Sequence, residues 1–217
     1  MLEAIAPMVD SGMETPLDVE KRFGHWDKVL AAAEPPEFLP ISTAIWHADR
    51  AVAYAATKRP DEARFELEAF LAQRRKIKPD SPAGQNTAGG LLGVEEHLVR
   101  GELLVQAGDL DGGIAQLKAG VVAEDKLKYD EPADWMQPVR HTLGAALLKA
   151  GRAKEALGVY RADLKKIPNN GWSTIGMANA YAALGDAKHA AVWRKQAKAV
   201  WSPKDPKSTT SCACLKG

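Results

Sequence analysis

The chain has 217 residues, with 29 Lys+Arg against 28 Asp+Glu and a formal net charge of +1. That balance argues against a dedicated nucleic-acid binder, which carries a basic stripe, and no apolar run approaches the roughly 20 residues that a membrane span needs. Cys212 and Cys214 both lie in the tail, so no disulfide framework holds the body together.

Residues 1–36 read as an irregular first unit, with a helix over 2–9, a turn at Ser11-Gly12 and helices over 16–23 and 25–33. Glu34-Pro35-Pro36 stops it. Residues 37–203 read as an array of helical hairpins, the first of them spanning 41–57 and 60–77. KPDSPAGQNTAGG, at 78–90, has the composition of a mobile loop. Its glycines lack the Lys-Ser/Thr that completes a phosphate loop. Helices over 91–107 and 110–123 follow, then an insert around 125–133. Asp134 is the expected N-cap of the next helix, with Pro138 in its first turn.

The stretch 135–168 is the clearest. Val139, Leu143, Ala146, Leu147 and Ala150 recur at three- and four-residue steps and form one apolar stripe. Gly151 ends that helix, Ala153, Ala156, Leu157, Tyr160 and Leu164 make a second stripe, and Pro168 closes the unit. Neither helix can bury its stripe alone, so the pair must stack on neighbours. The last pair spans 172–184 and 187–201, and 204–217 is a tail.

The unit recurs. Turns beginning at residues 24, 58, 108, 151 and 185 follow one another at steps of 34, 50, 43 and 34 residues, and the two long steps contain the inserts at 77–90 and 125–133. The stretch 135–168 resembles a tetratricopeptide repeat (TPR). With Gln137 as position 1, Leu143, Gly144, Ala156, Tyr160 and Pro168 fall at positions 7, 8, 20, 24 and 32 as the pattern asks. Arg140 replaces the usual Trp at position 4. The runs WHADRAVAYAA, YDEPADWMQPVRHTLGAALLKAGRAKEA and NNGWS are similar to a group of longer bacterial TPR proteins, which suggests the C-terminal part of such an array. The resemblance implies an all-α, right-handed superhelical solenoid of antiparallel helix pairs: four recognisable hairpins after a degenerate first unit.

In such arrays the first helix of each pair lines the concave face, where a protein or peptide partner binds. Carried onto this chain, the resemblance places Glu95, Glu102, His141, Trp172 and Asn179 in the groove as partner-binding residues. It implies a non-catalytic scaffold, and no catalytic motif such as Gly-x-Ser-x-Gly, His-Glu-x-x-His or a dinucleotide fingerprint speaks for an enzyme. Such a scaffold needs no cofactor.

A metal-binding protein is the alternative. His47, His97 and His141 fall at near-equivalent repeat positions, where stacking could align them beside Glu95, Glu96 or Glu102 in a copper or zinc site. Cys212 and Cys214 could chelate a soft ion such as Cu(I). The final helix, 187–201, carries Ala190, Ala191, Trp193, Ala197, Val200 and Trp201, more apolar surface than one side buries. The expected cover is the folded-back tail in a monomer, the rival being a dimer through that helix. MLEAIAPMVD has neither a basic leader nor a long apolar core and does not read as a signal peptide, so a cytoplasmic location is expected. Its start in mid-pattern suggests a piece of a longer array or a chain lacking its leader.

Overall fold

The computed structural model describes residues 5–6, 9–131, 133–201 and 208–215. The expected helix over 2–9 falls largely outside those residues. After a 3-10 turn at Asp10–Gly12 come two short helices, α1 (Thr15–Phe23) and α2 (Trp26–Ala31). Four hairpins follow: α3 (Pro40–Ala56) with α4 (Pro60–Lys76), α5 (Ala88–Ala107) with α6 (Leu110–Glu124), α7 (Val139–Lys149) with α8 (Ala153–Lys166), and α9 (Gly171–Ala183) with α10 (Ala187–Val200). Each helix packs on its hairpin partner, and the first helices also pack on one another, α3 on α5, α5 on α7 and α7 on α9. The fold is an all-α helical-repeat solenoid.

Local chemistry sets the boundaries. Pro40 and Pro60 open α3 and α4, where a missing N–H costs nothing. Side chains of Thr87, Asp109, Asn170 and Asp186 cap α5, α6, α9 and α10 by accepting backbone N–H bonds. The five aligned turns each begin with a left-handed residue: Gly24, Lys58, Gly108, Gly151 and Gly185. Glycine takes that conformation freely, and Lys58 takes it at φ 64° with a side chain attached. The repeat is thus visible in the backbone even where the residue type departs from it.

The hairpins share one continuous core. Phe70, Leu91, Leu98, Ile114, Leu117, Leu147 and Tyr160 are fully buried, and such side chains each contribute about 1.5–3 kcal/mol relative to exposure. Tyr160 of α8 lies between two glycines on neighbouring first helices. A Cβ on Gly144 would stand 2.3 Å from its ring, and one on Gly176 would stand 2.4 Å from it. A smaller cluster of Leu17, Val29, Trp46 and Ala53 joins α1 and α2 to α3.

Two expectations about the inserts are corrected. The segment 78–90 is ordered by a short antiparallel ribbon, β1 (Pro82–Ala83) with β2 (Asn86–Thr87), and α5 starts at Ala88 instead of 91. Asp134 does not cap a helix. Its carboxylate accepts bonds from the Gln85 backbone N–H (2.9 Å) and the Asn86 side chain (2.8 Å), while Asn86 Oδ1 accepts the Lys128 N–H at 2.7 Å. The inserts clasp each other, and α7 begins four residues later than expected, at Val139, whose N–H is bound by Glu124 at 3.0 Å.

Candidate functional site

The inner face of the array is formed by α3, α5, α7 and α9, and the chain's own ends fill it. From the N-terminal side, α1 delivers Lys21 and Arg22. Lys21 is buried and pairs with Asp49 of α3, with Asp18 at 3.0 Å and with Glu95 of α5 at 3.9 Å. Burial disfavours its charge, but the three carboxylates outweigh that and hold its pKa well above the ordinary lysine value. Arg22 reaches further, bonding His141 Nδ1 and lying 4.0 Å over the Trp172 ring, which Phe23 also meets at 5.5 Å.

His141 is held on both sides. Burial pushes its pKa down, so the ring is neutral. Nδ1 accepts from the Arg22 guanidinium, and the Nε2 proton is donated to Asp163 at 2.8 Å. Asp163 also accepts from Asn170 (2.8 Å) and Ser173 (2.6 Å). This imidazole is locked by its neighbours.

From the other end, residues 208–215 run along the same face and finish in a short 3-10 turn, Ala213–Leu215, packed on α1, α3, α5 and α7. Several contacts are made through main-chain groups. Asn179 donates to the Thr209 carbonyl at 2.9 Å, and Gln106 donates to the Cys214 carbonyl. The Ser211 hydroxyl lies 2.8 Å from the His141 carbonyl and 2.7 Å from the Tyr160 hydroxyl. Ser211, Cys212, Ala213, Cys214 and Leu215 are all buried. Cys212 and Cys214 are joined in a disulfide. Cys212 Sγ lies 3.8 Å from Glu102 Oε1 and 3.6 Å from the Thr142 hydroxyl, which itself donates to Glu102 at 3.1 Å. Burial raises the Glu102 carboxyl to about 7.

The five residues expected to meet a partner therefore meet terminal segments of this chain: Glu95 faces Lys21, Trp172 faces Arg22, His141 faces Arg22 and Ser211, Glu102 faces Cys212, and Asn179 faces Thr209. The histidines do not converge. His47 bonds Glu66 at 2.6 Å and His97 bonds Gln116 at 2.9 Å, each across its own hairpin, while His141 is committed as described. Among the described residues, the ligand-type side chains that do converge are Glu102, Cys212 and Cys214. Residues 208–215 of the tail enter the groove instead of lying along α10. There Ala190 and Ala197 are buried, Trp193 packs on the main core and Val192 stays exposed.

Lys21, Arg22, Asp49, Thr142 and Ser211 escaped the sequence reading. Asp49 carried a usable signal, a carboxylate inside the apolar helix ISTAIWHADRAVAYAA, which demands a buried partner. Nothing local marks Lys21 and Arg22, since a short basic helix end reads as solvated.

No helix among the described residues is long and apolar enough to cross a membrane. No protein-family model matches the sequence, and no curated protein matches it. Among solved structures, the chain is similar to two crystal structures of nearly identical TPR-like repeats from a Podosopora anserina protein described as a kinesin light chain. Both are 19% identical over 88% of this chain and 95% of theirs, with TM-scores of 0.51 and 0.49. The first likeness agrees with the helix pairing, and the fold of this chain is that of a TPR-like helical-repeat array.

Proposed function

We propose that the array is a non-catalytic scaffold whose inner face binds an extended peptide segment of a protein partner. The observation that carries this reading is the seat of residues 208–215. The groove holds them partly through carbonyl contacts from Asn179 and Gln106 and encloses small side chains, Ser211, Cys212 and Ala213. Main-chain recognition with pockets for small residues is a way to hold a peptide without demanding much of its sequence. In this reading the tail is an internal competitor, present at the high effective concentration of a tethered ligand.

The test is binding in trans. A chain ending at residue 201, shown by circular dichroism to keep its helices, should bind a fluorescent peptide of residues 208–215, and Asn179→Ala with Gln106→Ala should weaken that binding about tenfold or more. Full-length protein should bind the same peptide far less well, because its own tail competes. Absence of binding by the truncated chain would remove the peptide groove. A native lysate passed over the truncated chain then identifies partners that full-length protein does not retain.

A further inference from the structure

The tail brings two sulfurs to a buried carboxylate, an arrangement that peptide recognition does not require. One oxygen of Glu102 and the sulfurs of Cys212 and Cys214 lie within 4.8 Å of one another, and all three residues are buried. Glu102 sits in mid-α5 and the cysteines more than a hundred residues later, so the fold makes this convergence. Only 3.8 Å separates Glu102 Oε1 from Cys212 Sγ. Around a tetrahedral zinc ion, with Zn–S about 2.3 Å and Zn–O about 2.1 Å, the oxygen–sulfur edge is about 3.6 Å. The carboxylate and the first sulfur already stand near that spacing.

We propose that, once Cys212 and Cys214 are reduced, their two thiolates and the Glu102 carboxylate form a buried three-ligand site for one zinc ion. In the structure the two sulfurs are bonded to each other, so the site has to be opened. A dithiol reductant supplies two electrons and two protons, the S–S bond breaks, two thiols form, and the reductant leaves as its own disulfide. Zn2+ then takes both sulfurs as thiolates, and their two protons pass to water.

The donor set selects the ion. Two thiolates disfavour Ca2+ and Mg2+, which take oxygen ligands, whereas a carboxylate adds little for Cu(I), which is satisfied by sulfur alone. Zinc takes both donor types. Two thiolates and a carboxylate exceed the charge of the ion by one, and the buried cations Lys21 and Arg22 both act on Glu102 in the sense that favours its ionised form. The Thr142 hydroxyl, 3.1 Å from Glu102 Oε1, orients the carboxylate from outside the ligand set. The His141 imidazole is held by Arg22 and Asp163 and stays outside the ligand set. This site is independent of whether the groove accepts a foreign peptide.

The test uses full-length protein, reduced and freed of reductant without oxygen, titrated with Co2+ as a spectroscopic probe and then with Zn2+. One equivalent of Co2+ should give a thiolate-to-cobalt charge-transfer band and intense visible bands of tetrahedral type, all removed by Zn2+. Cys212→Ser should lose most of the charge-transfer band. Glu102→Gln should shift the visible bands and weaken Co2+ binding by more than about tenfold, with its disulfide form melting as a control for folding. Equal affinity and an unchanged spectrum in Glu102→Gln would mean that the sulfurs act alone, which overturns the site. So would a free peptide of residues 208–215 that binds Co2+ as tightly as the whole chain, an outcome that needs no folded variant.

Discussion

The guanidinium of Arg22 lies 4.0 Å over the ring of Trp172, joining α1 to the last hairpin across the width of the groove. A desolvated cation–π contact is worth about 2 kcal/mol, and Arg22 adds its bond to His141. Trp172→Ala should therefore loosen α1 and expose the Lys21-Arg22 bonds to trypsin. Limited proteolysis should find cleavage at these residues much faster in the variant than in wild type. Equal rates would mean that Trp172 adds nothing to the hold on α1 already exerted by Lys21, by the Arg22–His141 bond and by the Leu17 cluster.

Tyr160 offers a second test, because it is enclosed by Gly144 and Gly176 on separate repeats. Gly144→Ala and Gly176→Ala each force a methyl into its ring, and overpacking of this kind costs about 1–3 kcal/mol. Gly158 sits on the same helix as Tyr160 with open space around it, so Gly158→Ala should be neutral or stabilise by up to about 1 kcal/mol through helix propensity. Three thermal melts decide it. A tolerated Gly144→Ala would count against the close crossing of α7 and α8.

The response to pH follows from buried carboxyls. Burial pushes Glu124 up to about 7, even though it accepts the Val139 N–H, and Glu14 and Glu102 are raised in the same sense. Between the ordinary carboxyl value and pH 7 the folded chain then binds more protons than the unfolded one, so stability falls as pH rises through that window and levels off above it. Glu124→Gln keeps an acceptor for Val139 and removes one titrating group. Urea unfolding at pH 5 and pH 8 should show a loss for wild type that shrinks by about 1–3 kcal/mol in the variant. An unchanged difference would show that Glu124 stays ionised throughout.

Periodic apolar spacing and turn residues make the hairpins legible in the sequence, because a helix stripe and a left-handed glycine are local signals. The turn at Lys58 is legible too, one repeat length after Gly24, despite lacking glycine. The start of α7 is not legible, because Asp134 has the chemistry of a cap but spends it on Gln85 and Asn86, a pairing between inserts that no periodicity encodes. The groove positions of Glu102, His141 and Asn179 came from repeat register. What fills the groove did not. Residues 21–22 and 208–215 reach it from opposite ends of the chain, and their partners are defined only by the folded path.

The Lys21 cluster gives the sharpest energetic prediction. Its ammonium stands among Asp49, Glu95 and Asp18, and both Asp49 and Glu95 are almost wholly inaccessible. Among the described residues, Asp49 Oδ2 and Glu95 Oε1 have no hydrogen-bond partner, so Lys21 is the main source of compensation for two buried carboxyls. Lys21→Met keeps the length of the side chain and removes its charge. Stranding buried carboxylates in this way costs about 3–5 kcal/mol. The carboxyls can escape part of that cost by taking up protons, since burial already raises the Glu95 pKa. With Lys21 gone, their folded-state values rise further above the unfolded ones, and the penalty is greatest at high pH and shrinks as pH falls. Adding Asp49→Asn to Lys21→Met removes one stranded charge and should restore about 1–3 kcal/mol, although Asp49→Asn alone is destabilising. The double-mutant cycle, measured by urea unfolding at pH 8, should thus show strong coupling that weakens at pH 5. Additive effects at both pH values would mean that Lys21 does not neutralise Asp49.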